Sequence, residues 1–288
     1  MTGRSPEPEI LVSRTGARLD VVLNRPERLN AFTPAMYARL TELFGSLVED
    51  EEVRVVVMRG AGRVFAAGND ISGFVGMSGH DAATHYEDMV AAMLRSLAAL
   101  PQVSVAAVEG VCVGGGLAVA THCDIRIATQ EARFGYPIAR TLGNALSAEV
   151  LLRCVHVFGE SMTRSMLLTS RLLDAPRAYA LGAVSELVAT AADLDAELDA
   201  LTAGIAQAAP MTLQATKRQL ASLTSLEALV SDDEARDETE LLRTVYDSDG
   251  FREGVRAFLA KERPAFPAQR LPRAATRAKA TESKATDR

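Results

Sequence analysis

Cysteine and long apolar runs are scarce in this chain, positive charge is not in excess, and each of these removes a class of protein. The three cysteines, Cys112, Cys123 and Cys154, form no CxxC spacing and no cluster with histidine. Neither a disulfide framework nor a zinc site is expected, and a reducing cytoplasm is the natural setting. No stretch reaches the roughly 18–20 apolar residues of a membrane helix. Met1 to Glu9 carries polar and proline residues where a signal peptide has an apolar run, so a soluble, cytoplasmic protein is expected. With 31 Lys and Arg against 37 Asp and Glu, the net charge of −6 argues against sequence-independent nucleic-acid binding.

What is present is apolar material, 48% of 288 residues, enough for one large core and an appended segment. Strand and helix signals alternate along the first two thirds. Leu19 to Leu23, Val53 to Met58, Val103 to Val108 and Ile125 to Ala128 read as strands. Thr33 reads as the cap of a helix that starts at Pro34 and buries Met36, Leu40, Leu43, Phe44 and Leu47. A second helix is predicted from about Thr84 to Leu100, and helices resume between Ser147 and Leu168. Repeated strand-then-helix units imply an α/β fold with parallel strands. From about Leu194 the pattern is helical: Leu194 to Ala208, Leu213 to Val230, and an acidic segment from Ser231 to Tyr246. The tail, Ala268 to Arg288, mixes Ala, Thr and charge without an apolar period and is expected to be disordered.

Two strands end in loops of small residues. Val103 to Val108 runs through Glu109-Gly-Val-Cys-Val into Gly114, Gly115 and Gly116, which open an apolar helix. Such a junction presents backbone N–H groups where an anionic oxygen can sit. The other loop, Arg63-Val-Phe-Ala-Ala-Gly-Asn-Asp-Ile71, follows Val53 to Met58 through the turn Gly60-Ala-Gly62. One N–H from each loop, brought to a shared point, makes an oxyanion hole for a thioester enolate.

These segments, with Leu23-Asn-Arg-Pro-Glu-Arg-Leu-Asn-Ala-Phe32, Cys123-Asp-Ile125, Ala132-Arg-Phe-Gly-Tyr-Pro137, Gly182-Ala-Val-Ser-Glu-Leu-Val188 and Phe258-Leu-Ala-Lys-Glu-Arg-Pro264, resemble the enoyl-CoA hydratase/isomerase (crotonase) superfamily in order and spacing. The resemblance runs from about residue 10 to about residue 267. It implies a spiral core of stacked ββα units over residues 1–193, a helical cap and oligomerisation segment over 194–267, and a homotrimer or dimer of trimers. It also implies an acyl-CoA substrate, with coenzyme A present only as part of that substrate and no resident cofactor or metal. The oxyanion donors implied are the peptide N–H groups of Asn69 and Gly115. Arg28, Leu29, Ala31, Ala66, Ala67, Asp70 and Ile71 fall where relatives hold the coenzyme, and Lys261 falls where a basic residue reaches it. For Asp70, a loop-fixing carboxylate is the simpler reading.

The sequence departs from the family at the two glutamates that hold and activate water in hydratases, where it has Ala118 and Ile138. Neither side chain can move a proton, and a positioned acid or base is worth ~10²–10⁴ in rate. The segment Tyr136 to Asn144 offers replacements: Arg140, which can fork onto a substrate carboxylate, and Asn144, which can polarise a carbonyl or hold a water. Their structural readings are a salt bridge and a loop or helix cap, and Tyr136 reads as packing. Glu109, His80 and His85 are further acid or base candidates, while His122 and His156 read as helical residues. No catalytic triad follows from spacing. The expected activity is enolate-stabilising chemistry of a hydratase- or isomerase-like enzyme. Decarboxylation of a malonyl-type thioester, thioester hydrolysis and acyl-CoA binding without turnover are the alternatives.

Overall fold

Strand residues that alternate between two apolar clusters decide where the core lies. The computed structural model describes residues 7–74, 80–224 and 242–267, with side chains throughout except at 73–84. The tail from 268, the segment 225–241 and the His80 side chain lie outside the described residues. The first part of the chain forms β1 (Ile10–Thr15), β2 (Arg18–Leu23), α1 (Pro34–Leu47), β3 (Val55–Gly60), α2 (His80–Ala98), β4 (Val103–Val108) and β5 (Val111–Val113). The middle continues as α3 (Gly115–His122), β6 (Ile125–Thr129), β7 (Arg133–Gly135), α4 (Ala148–Phe158), α5 (Glu160–Thr169) and β8 (Leu173–Asp174). It closes with α6 (Ala175–Ala180), β9 (Glu186–Val188), α7 (Ala191–Gln207), α8 (Pro210–Leu223) and α9 (Asp249–Ala260).

The larger sheet has the order β1-β2-β3-β4-β6-β9, antiparallel at its first pair and parallel thereafter. A smaller sheet holds β5, β7 and β8. Each turn of chain gives one strand to the large sheet, one short strand or bridge to the second layer, and then a helix: β3, Ala66 and α2; β4, β5 and α3; β6, β7 and α4. This is the stacked ββα architecture that the resemblance implies.

Because side chains alternate across a strand, Val56 and Met58 enter the main core, whereas Val55 and Val57 face the other way. There they join Val105, Ile127 and two residues of α7, Leu194 and Leu198, all essentially inaccessible to water. Burial on both faces is why these parallel strands read as unbroken apolar runs. Thus α7 completes the subunit's own core, an option that the sequence left open for the C-terminal segment. Among the described residues no helix is long and apolar enough to cross a membrane.

Helix α1 begins as predicted, with Thr33 Oγ1 accepting the Met36 N–H at 3.1 Å and Pro34 in the first turn. Just before it, Leu29 and Asn30 take left-handed backbone conformations, φ 51° and 56°. Asn30 is buried and secures that turn with its side chain. Its Oδ1 accepts the Arg25 N–H at 3.0 Å, and its Nδ2 donates to the Ala61 and Val64 carbonyls at 2.9 and 2.7 Å.

Helix α3 is buried along its whole length, and its last residue, His122, sits among apolar neighbours with Nδ1 against the Ala118 carbonyl at 2.7 Å. Burial pushes its pKa down from 6.5 to about 4, the Arg153 charge acting in the same direction and the Ala118 contact opposing. The unfolded chain therefore takes up a proton that the native state resists.

Replacing Asn30 by Ala is expected to cost roughly 1–3 kcal/mol in urea denaturation, because three part-buried backbone groups lose their partners; a cost under about 0.5 kcal/mol would show that water replaces them. Stability is expected to fall as pH drops from about 6.5 to about 4, with His122 contributing about 3 kcal/mol. His122→Leu should flatten the urea midpoint over that window, and an unchanged slope would assign it to other groups.

Candidate active site

The site begins with a backbone arrangement. Phe32 and Asn69 form a parallel bridge in which the Phe32 N–H donates to Gly68 O and the Asp70 N–H donates to Phe32 O, both at 2.8 Å. In such a bridge the central residue of the partner segment turns its own N–H and C=O to the opposite side. For Asn69 that side is the glycine loop. Ala66 is bridged to Cys112 of β5, with the Val113 N–H donating to Ala66 O at 3.0 Å, so the two loops run in contact.

Gly114 makes the turn from β5 into α3 with φ 54° and ψ −125°, a conformation open to glycine. Gly115 is then the first helical residue, whose N–H has no intrahelical acceptor. Its α-carbon is crowded: a Cβ there would lie 2.3 Å from Asn69 Oδ1 and 2.8 Å from the Tyr37 hydroxyl. Only a bare backbone fits beside the Asn69 side chain. That side chain is held by Tyr37, whose hydroxyl donates to Asn69 Oδ1 at 2.6 Å. Burial above all, and the nearby Glu87 charge, push the Tyr37 pKa far above the ordinary phenol value, so it remains a donor. Among the described residues, neither the Asn69 N–H nor the Gly115 N–H donates to a protein acceptor.

Both residues line a cavity of about 160 Å³. Its walls are largely apolar, including Ile71, Val90, Val113, Ile138, Leu142 and Val150. Ala118 and Ile138 line it too. Of the other residues predicted from sequence, Ala67, Ile71 and Asn144 line the same space, and Asn144 Oδ1 is buried with no protein partner among the described residues.

The predicted coenzyme segments are brought together beside it. The Ala67 N–H donates to Leu29 O at 2.9 Å, and Ala66 is buried behind that contact. Arg25 donates to Ala31 O at 2.6 Å and pairs with Asp70 at 2.8 Å. Burial alone raises the Asp70 pKa, but hydrogen bonds from Ser72 and Arg25 outweigh it and hold the carboxylate below its usual value. Asp70 thus fixes the loop. Arg28 and Leu29 are exposed on the adjoining turn. Lys261 is exposed at the C-terminal cap of α9, the helix that packs on the turn at 71–74 and sends Phe258 into the cavity wall.

Arg140 differs from expectation. It ends the 3-10 turn Pro137–Arg140 with its side chain exposed, lining a separate groove with Leu172, Arg263 and Phe266. The turn sends Ile138 inward and Arg140 outward. Glu109 is likewise outside the cavity, facing Arg59 at 3.9 Å, with its pKa raised mainly by burial. His85 and His156 are exposed, and Tyr136 is a fully buried packing residue whose ring also reaches the cavity. A larger groove of about 880 Å³ between the end of α1 and α8 shares no residue with the glycine loops.

Two residues that sequence reasoning missed are Glu87 and Tyr246. Glu87 lies on the cavity face of α2, and the Tyr246 hydroxyl donates a short hydrogen bond to its Oε1. The signal for Glu87 was a carboxylate in line with the apolar stripe Val90, Leu94 and Leu97. Nothing local signals Tyr246, which is 159 residues away in sequence. Burial and the Glu87 charge both raise the Tyr246 pKa, so it stays protonated.

Residues 15–269 match the family model described as enoyl-CoA hydratase/isomerase. The 2,3-dehydroadipyl-CoA hydratase of Escherichia coli is 31% identical over 258 residues, 90% of this chain and 98% of that protein. The (E)-benzylidenesuccinyl-CoA hydratase of Thauera aromatica is 32% identical over 259 residues, 85% of this chain and 94% of its own. The crystal structure of an enoyl-CoA hydratase/carnithine racemase from Magnetospirillum magneticum superimposes with a TM-score of 0.73 at 34% identity, covering 92% of this chain and 97% of that one. With a matching family model over most of its length and relatives that align end to end, the chain belongs to the enoyl-CoA hydratase/isomerase family of crotonase-fold proteins.

Proposed function

We propose that this protein binds an acyl-CoA thioester with the carbonyl oxygen between the Asn69 and Gly115 N–H groups and stabilises the enolate that forms there, without acting as an efficient hydratase. The observation that carries the reading is the pairing, at a largely apolar cavity, of two backbone donors with no protein acceptor among the described residues; Ala118 and Ile138, which line the same cavity, stand where the resemblance implies the water-handling glutamates. Each donor is worth roughly 10²–10³ in rate when charge develops on the oxygen it faces. Family membership and the CoA thioesters named for its relatives support the substrate class. Asn144, with its buried Oδ1, is suited to a polar group of the acyl chain.

The coenzyme is assigned to the turn at Arg28, Leu29 and Ala31 and to Ala66, Ala67, Asp70, Ile71 and Lys261. Arg140 has no part in this reading, because it is exposed on another groove, and Glu109 has none because it faces Arg59. A homotrimer or dimer of trimers fits the exposed apolar side chains of α8, Met211, Leu220 and Leu223.

Mass spectrometry of products from a panel of saturated, enoyl, hydroxyacyl and carboxyacyl-CoA esters tests the reaction directly, with chromatography to detect isomers of equal mass. Crotonyl-CoA hydration is expected to run ~10²–10⁴ slower than in a two-glutamate hydratase; a comparable rate would overturn the reading of Ala118 and Ile138. Gly115→Ala puts a methyl group 2.3 Å from Asn69 Oδ1. Turnover is expected to fall roughly 10²–10³-fold at unchanged far-UV circular dichroism, and undiminished turnover would remove the Gly115 N–H from the mechanism.

A further inference from the structure

One side chain is charged among the described residues that line the cavity. Among the described residues that line it there is no Lys, Arg, His or Cys, and Glu87 is the sole carboxylate. Near it stand Tyr86, beside it on α2, and Tyr246 with Phe251 packed on the ring at 4.8 Å. Tyr246 donates to Glu87 Oε1, which fixes the rotamer of the carboxyl group and keeps its second oxygen distinct from the bonded one. The same small cavity is bounded by Asn69 and Gly115, so an acyl chain that enters past those N–H groups runs against the Glu87 wall.

We propose that Glu87 is the catalytic base of this protein, positioned by Tyr246, and that its substrates are acyl-CoA esters with an acidic C–H next to the carbonyl, above all enoyl esters whose double bond migrates. This rests on the enolate reading given above. In the step, a Glu87 oxygen takes the proton, the C–H bond breaks, and its electron pair forms the carbon–carbon double bond of the enolate. The negative charge then lies on the thioester oxygen at the Asn69 and Gly115 N–H groups. The neutral Glu87 carboxyl either swaps its proton with solvent and then protonates the same carbon, giving exchange, or delivers the proton to the far end of a conjugated dienolate, giving the shifted double bond. The carboxylate is regenerated and no water is consumed. One carboxylate suffices for this, whereas hydration also needs a held water, and Ala118 and Ile138 hold none.

The test is deuterium uptake from D₂O into short- and medium-chain saturated and 3-enoyl-CoA esters, with conversion of the 3-enoyl to the 2-enoyl esters followed by chromatography. Wild-type protein is expected to do both. Glu87→Gln, which keeps the shape of the side chain, should slow both ~10²–10⁴-fold while binding of a saturated acyl-CoA measured by calorimetry stays within a few-fold of wild type. Tyr246→Phe keeps the ring packing and should slow turnover roughly tenfold at unchanged KM; a change in KM alone would reduce Tyr246 to a binding residue.

Exchange in Glu87→Gln at the wild-type rate, together with loss of exchange in Gly115→Ala, would overturn the role of Glu87 and leave the enolate reading standing. Acyl-CoA binding by the wild type with neither exchange nor conversion would overturn both.

Discussion

The rest of the site depends on how closely two backbones approach one another. Residues 66–69 lie between the bridge at Phe32 and strand β5, and the glycine turn meets them with so little room that a single methyl group at Gly115 would strike Asn69. Hydrogen bonds to Phe32 on one side and to Val113 on the other fix the loop. The Tyr37 hydroxyl then holds the Asn69 side chain aside. Two N–H groups with no protein acceptor among the described residues are left at a largely apolar space, where a charge placed on an acceptor would be poorly screened and each hydrogen bond would count for more than in water.

That arrangement needs a rigid support, and the sheet supplies it. β3 and β4, whose ends launch the two loops, are neighbours in the parallel ladder and are buried on both faces, by the main core on one side and by α7 on the other. The loops therefore leave a scaffold whose strands cannot shift register without exposing valines. The left-handed turn at Leu29 and Asn30 extends the same logic to the segment before α1, since Asn30 ties it to the loop after β3.

Much of this was legible in the sequence, for physical reasons that differ from element to element. The parallel strands announce themselves because both faces are buried and the apolar run is unbroken. Thr33 and Pro34 mark a helix start by their own hydrogen-bonding habits, and the glycine loops are visible because close backbone approach excludes other residues. The short strands β5 and β7 were not legible as strands, since three residues carry no period. Arg140 was read as a site residue, but the direction of its side chain is set by a 3-10 turn that places Ile138 and Arg140 on opposite sides. Glu87 was missed because a lone glutamate on a helix ordinarily faces solvent, and its partner Tyr246 becomes a neighbour only when the chain has folded.

A carboxyl group in the wall of a small, largely apolar chamber also bears on what enters. Glu87 lines the space that the acyl chain would enter, so a chain ending in a carboxylate would meet a second carboxyl group where the medium does least to weaken their interaction. A hydrocarbon chain meets only complementary surface. On the proposed reading, the wall of the cavity would discriminate on the charge of the acyl tail before its length or branching is felt.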